Sequence, residues 1–168
     1  FHLKISPIKI VVVLLFLLSG ICGLMYEVAW SKHLALFIGS TAYSHMIVLA
    51  TYMGGLALGA YYWGKFADRF SKCLLLYGLL ETGIGVYCLV YPFILKIAGE
   101  FFISTASSFG GTTNQGLLLL LKFLLSFITL ILPTFLMGGT IPVLVKLLNK
   151  NITESGKDVA VLYFINSL

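Results

Sequence analysis

Glu27 and Glu81 are the two carboxylates of this chain that fall inside long apolar runs. A charged group at membrane depth is costly, so it faces a cavity, a partner or a bundle interior rather than lipid. The chemistry open to it is charge pairing, with a cation or with a polar side chain of a neighbouring helix. Glu81 lies about 12 Å along a helix from the nearer end of its run; His45 and Lys122 are its candidate partners. Glu27 stands near the outer end of its run beside Tyr26 and Trp30. It is either a second site residue or an interfacial group in an aromatic belt.

No other pattern offers a reaction centre. The sequence has no GxGxxG after a strand, no GxxxxGK[ST], no HExxH and no GxSxG. Cys22 and Cys88 sit inside apolar runs and Cys73 opens another, without the spacing of a zinc site or a disulfide framework. No cofactor, metal or catalytic residue is expected from these residues.

The elements that must position the carboxylates follow from composition. Of 168 residues, 60% are hydrophobic and only 10% charged, and the mean hydropathy is +1.03. A soluble domain carries roughly 25% charged residues, so this chain lacks the polar surface to meet water. The net charge of +5 is spread over short segments between apolar runs, a topology signal that argues against nucleic-acid binding. A span needs about 20 apolar residues. The sequence predicts an all-α polytopic bundle in one transmembrane domain, residues 1–168, with spans at about 10–30, 41–63, 73–95 and 117–145. The segment Phe1 to Gly23 has the look of a signal peptide, but its apolar stretch continues to Trp30, which favours a retained helix. The third span is expected to close around Pro92 and Lys96, with a polar stretch over Gly99 to Gln115. The run Gly116 to Leu148 exceeds one straight crossing, with Lys122 snorkelling to an interface and Pro133 and Pro142 allowing a kink or an early end.

A fifth apolar segment, 159–168, spans only about 15 Å as a helix. The expectation is a fragment, or a bundle completed by further helices or a soluble domain. Placing the N-terminus inside puts Lys4, Lys9, Lys65, Arg69, Lys72, Lys146, Lys150 and Lys157 in the cytoplasm, against Lys32, Lys96 and Lys122 outside. The positive-inside rule therefore predicts a multi-pass protein of the cell's inner membrane with a cytoplasmic N-terminus. The sequon Asn151-Ile152-Thr153 would then face the cytoplasm and is discounted.

Two further patterns bear on assembly. Gly55 and Gly59 form a GxxxG that lets another helix approach closely. The link Gly64 to Lys72 is expected to be a tight cytoplasmic turn. In it Gly64 makes the exit from the second helix, Asp68 and Ser71 cap the third, and Lys65, Arg69 and Lys72 meet the anionic leaflet.

Ser19-Gly20-x-x-Gly23-Leu24-x-Tyr26-Glu27-x-x-Trp30 resembles the first-helix signature of membrane-bound spermidine synthase-like proteins. The likeness continues through Phe37-x-Gly39-Ser40-Thr41, Gly55-Leu56-Ala57-Leu58-Gly59, Gly64-x-x-Ala67-Asp68-Arg69 and Leu79-Leu80-Glu81-x-Gly83-Ile84-Gly85. It returns at Leu132-Pro133-Thr134 with Leu136 to Pro142, and at Leu162-Tyr163-x-x-Asn166, followed by Ser167 where the family has threonine. Gly64, Asp68, Arg69 and Lys72 also resemble the major facilitator loop motif G-x-x-x-D-R-x-G-[RK], with Ser71 in place of its second glycine.

The resemblance implies a major-facilitator-like membrane region that anchors, or supplies substrate to, an aminopropyltransferase-like domain lying outside this chain. It implies a polyamine ligand for Glu27 and Glu81, with Tyr26 and His45 nearby. Half of a small-molecule transporter and a structural subunit of a larger membrane complex are the alternatives.

Overall fold

The computed structural model describes residues 7–39, 41–108 and 115–148. Four helices make up the fold: α1 (Pro7–Ile38), α2 (Thr41–Arg69), α3 (Cys73–Ser108) and α4 (Gln115–Leu148). All four are long and apolar enough to cross a membrane, and no strand occurs among the described residues. The predicted fifth segment, 159–168, and the sequon lie outside them.

Each helix is longer than its predicted span. α1 has 32 residues and α3 has 36, about 48 and 54 Å at 1.5 Å per residue, against a hydrocarbon core of ~30 Å. Residues 31–38, expected to lie mainly in a connection, continue α1, and residues 99–108, expected to be a polar loop, continue α3. Polar composition marks where hydrocarbon ends; it does not end a helix. α1 stops at Gly39, whose φ of +82° is open to glycine without strain. Its N–H donates to Ala35 O at 2.9 Å, closing the last turn.

The turn between α2 and α3 is shorter than the sequence suggests. Gly64 lies inside α2, and Asp68 and Arg69 are exposed in its last turn, so Gly64 makes no exit and Asp68 caps nothing. Lys, Asp and Arg are tolerated in a helix, whereas the carbonyls left at its end need partners. Ala67 O supplies one answer: it accepts from Phe70 N at 3.0 Å and from the Lys146 ammonium of α4. Only Phe70, Ser71 and Lys72 then separate the helices, and Lys72 O accepts the first bond of α3, from Leu76 N at 3.1 Å.

Pro92, Pro133 and Pro142 all lie within helices rather than closing them. A proline removes the N–H that would bond the carbonyl four residues earlier. For Pro133 that carbonyl is Thr129 O, and Tyr87 of α3 donates its hydroxyl to it. A neighbouring helix thus satisfies the freed backbone group, as spanning helices require.

The closest packing joins α2 to α4. Both helices begin at the same end of the bundle, so they run parallel, and the Ala67–Lys146 bond sets a register of 79 residues. Gly55 with Thr134 and Gly59 with Gly138 fall on the same register. A Cβ on Gly55 would meet the Thr134 side chain, and one on Gly59 would lie 3.0 Å from Gly138 Cα and clash with Phe135 O. Gly138 abuts the Leu56 backbone and Gly139 the Trp63 ring. Small residues let two backbones touch here, which replaces a hydrophobic drive that is absent within lipid.

Two apolar layers fill the interior. One gathers Phe16, Leu76, Leu80, Val143 and Leu144; the other gathers Trp30, Leu34, Val48, Tyr91 and Leu130. The outer faces carry large apolar side chains, with Leu36 85% and Leu89 78% exposed. That surface suits lipid, and it accounts for the composition.

Candidate functional site

Between the two layers a polar contact joins α1 to α3. Ser19 Oγ donates to Glu81 Oε2 at 2.9 Å. The other carboxylate oxygen, Oε1, is buried and has no hydrogen-bond partner. One turn earlier on α3, the Tyr77 hydroxyl is also buried and lies beside the same carboxylate, within hydrogen-bonding range of it although no well-aligned bond forms. Leu80 and Ile84, on the flanking positions of α3, are buried and exclude water from that side. An ionised carboxylate accepts at both oxygens, so Glu81 retains capacity for a second donor.

Ser19 also lines a cleft of about 370 Å³ between α1, α2 and α4. Gly20 and Gly23 form the α1 wall, Tyr52, Met53 and Leu56 the α2 wall, and Met137, Gly138 and Thr140 the α4 wall. Gly23 faces α2 there: a Cβ on it would stand 3.5 Å from the Tyr52 hydroxyl, an ordinary contact distance. The walls are largely apolar with a few hydroxyls, a lining that suits a small organic ligand.

Glu27 lies half-buried two turns beyond Ser19, within electrostatic range of Tyr52. Its neighbour Tyr26 stacks on Trp30, with ring centroids 5.9 Å apart, and meets the Cys88 thiol of α3. Trp30 in turn lies 5.6 Å from Tyr91. Tyr26 and Trp30 thus pack α1 onto α3.

Neither expected partner reaches Glu81. His45 is exposed near the start of α2. The Lys122 ammonium sits 5.1 Å from the centre of the Phe102 ring, and Phe102 is about 30 Å further along α3 than Glu81. The partner is Ser19, which the sequence reading passed over. Counting from the same end would have found it, since Ser19 and Glu81 fall at similar depths on α1 and α3. The other predicted residues take different roles: Gly55 and Gly59 form the α2/α4 seam, and Gly64 packs 3.6 Å from Pro142 at its would-be Cβ. Asp68 and Arg69 remain on the surface.

Among the described residues no three His, Cys, Asp or Glu side chains gather as metal ligands would. The chain matches no protein-family model, no curated protein and no solved structure.

Proposed function

We propose that this chain is the membrane region of a spermidine synthase-like protein and that it holds a polyamine at Glu81 for an aminopropyltransferase-like domain. The observation that carries the reading is the carboxylate itself: one oxygen is held by a cleft-lining serine and the other is buried without a partner. Glu81 stands behind Ser19 rather than in the cleft lining, so an ammonium group would take the place of the Ser19 hydroxyl on the carboxylate, and charge-assisted bonds of this kind are the strong ones. The apolar cleft walls suit the methylene chain between amines. The motifs around Ser19, Glu27 and Glu81 support the family reading. The lysine and arginine distribution supports a cytoplasmic N-terminus in the inner membrane.

The test is spermidine binding to protein in lipid nanodiscs, followed by calorimetry. Glu81→Gln keeps the shape and removes the charge; it is expected to weaken binding by about ten- to a hundredfold, the worth of a charged hydrogen bond. Ser19→Ala, which leaves the charge in place, is expected to weaken it less. Unchanged affinity in Glu81→Gln would sink the carboxylate role. Spermidine uptake into proteoliposomes that depends on Glu27 or Glu81 would favour the transporter reading over the anchoring one. The exposed Asp68 and Arg69 in the loop motif are what supports that second reading.

A further inference from the structure

We infer that Glu27 is a second anchor of the cleft, so that a linear dication is held at both ends and the spacing of the two carboxylates selects its length. The inference rests on the reading of Glu81 as a cation site and gives Glu27 a role that a single cation does not require. Phe16, Gly20 and Gly23 line the cleft. Glu27 continues them at the spacing i, i+4, i+7, i+11, which keeps to one face of a helix. It therefore stands on the cleft-facing stripe of α1, one turn past Gly23. Tyr52 marks the same place from α2: it lines the cleft, its hydroxyl lies 3.5 Å from the would-be Cβ of Gly23, and it is within electrostatic range of Glu27. Glu27 also lies inside the apolar stretch Leu14–Leu36, where a carboxylate is costly unless a cavity or a cation serves it.

Distance decides what can bridge the two anchors. Ser19, whose hydroxyl sits 2.9 Å from the Glu81 carboxylate, and Glu27 are two turns apart on α1, about 12 Å along its axis. Two ammonium groups, each bonded to its own carboxylate, thus need a separation of roughly 10–12 Å. An extended alkyl chain advances ~1.25 Å per bond, so eight methylenes between two nitrogens span about 11 Å and four span only about 6 Å. Between the anchors Gly20 and Gly23 present no side chain, and Met53 and Leu56 form the facing wall. That track suits methylenes. A second charge that reaches its carboxylate binds as an intramolecular step and adds to the affinity, whereas one whose linker cannot span the sites adds nothing.

The experiment is calorimetry on the full chain in lipid nanodiscs, with the heats of empty nanodiscs subtracted. The ligands are octamethylenediamine, octylamine, tetramethylenediamine and butylamine. Octamethylenediamine is expected to bind at least about tenfold more tightly than octylamine, the worth of one further charged hydrogen bond. Tetramethylenediamine should exceed butylamine by no more than about twofold, the statistical effect of two equivalent ends. Glu27→Gln should bring octamethylenediamine down to the octylamine value. No gain at eight methylenes, an equal gain at four, or a gain at eight that survives Glu27→Gln overturns the inference. The length comparison is read on wild type alone, so it holds even where a Glu27 variant fails to fold. In each of those outcomes Glu81→Gln still weakens every amine if Glu81 is a cation site. A Glu81→Gln protein that binds all four amines as wild type does, or a wild type that binds none, removes that reading and this inference with it.

Discussion

Replacing Gly59 by alanine tests the parallel α2/α4 seam with one methyl group. That methyl would lie 2.9 Å from Phe135 C and 3.0 Å from Gly138 Cα, and closer still to Phe135 O. All three are backbone atoms of α4, so no rotamer change can relieve the contact. The helices must part by half an ångström or more, and a gap of that size forfeits a quarter or more of each dispersion contact along the seam. Overpacking of this kind costs about 3 kcal/mol at its upper range, and the better helix propensity of alanine returns about 1 kcal/mol, leaving a net loss of about 2 kcal/mol. Gly54→Ala is the control, because a Cβ there meets nothing within 4 Å. It carries the propensity gain alone, so the two variants should differ by about 3 kcal/mol. Denaturation in mixed micelles measures the difference, read by tryptophan fluorescence, since Trp63 packs on Gly139 in the same seam. A difference below about 1 kcal/mol would refute the backbone-contact argument, because propensity alone would then account for both variants.

The Tyr87 hydroxyl answers a carbonyl that Pro133 leaves open. Tyr87→Phe is therefore expected to destabilise the bundle by about 1 kcal/mol, and markedly less in a Pro133→Ala background where the helix satisfies that carbonyl itself; equal losses in both backgrounds would contradict the assignment. Lys146→Met removes the ammonium from Ala67 O, so hydrogen exchange should quicken at Asp68 to Phe70 while the middle of α2 stays protected. Exchange unchanged at these three amides would mean that the lysine does not hold the helix end.

The four crossings were legible because span length is dictated by bilayer thickness, and runs such as Leu117 to Leu121 are unmistakable. The glycine pattern was legible too: Gly55 and Gly59 face another helix, as a GxxxG suggests. Helix ends were not. Residues such as Lys32, Asp68 and Glu100 fall outside the predicted spans but remain helical, since hydropathy reports solvent preference and not backbone geometry. The end of α1 was decided by Gly39 and its positive φ. The partner of Glu81 was hidden for another reason. Opposite charge suggested His45 or Lys122, yet depth along each helix ruled both out and left the uncharged Ser19. Pairing in a bundle is set first by height and only then by chemistry.

The α2/α4 seam also fixes where this bundle can yield. Glycines against backbone along one register, with Lys146 tied to Ala67 at the end, make those two helices a single stiff beam. α1 meets that beam through side chains, Phe16 on one side of the cleft and Trp30 and Leu34 on the other, instead of a glycine lock, and it ends at Gly39. Compliance therefore concentrates in α1, the helix that carries Ser19 and Glu27. Small rotations of that one helix would widen or narrow the cleft and move Ser19 on or off the Glu81 carboxylate, while the rest of the frame holds its shape.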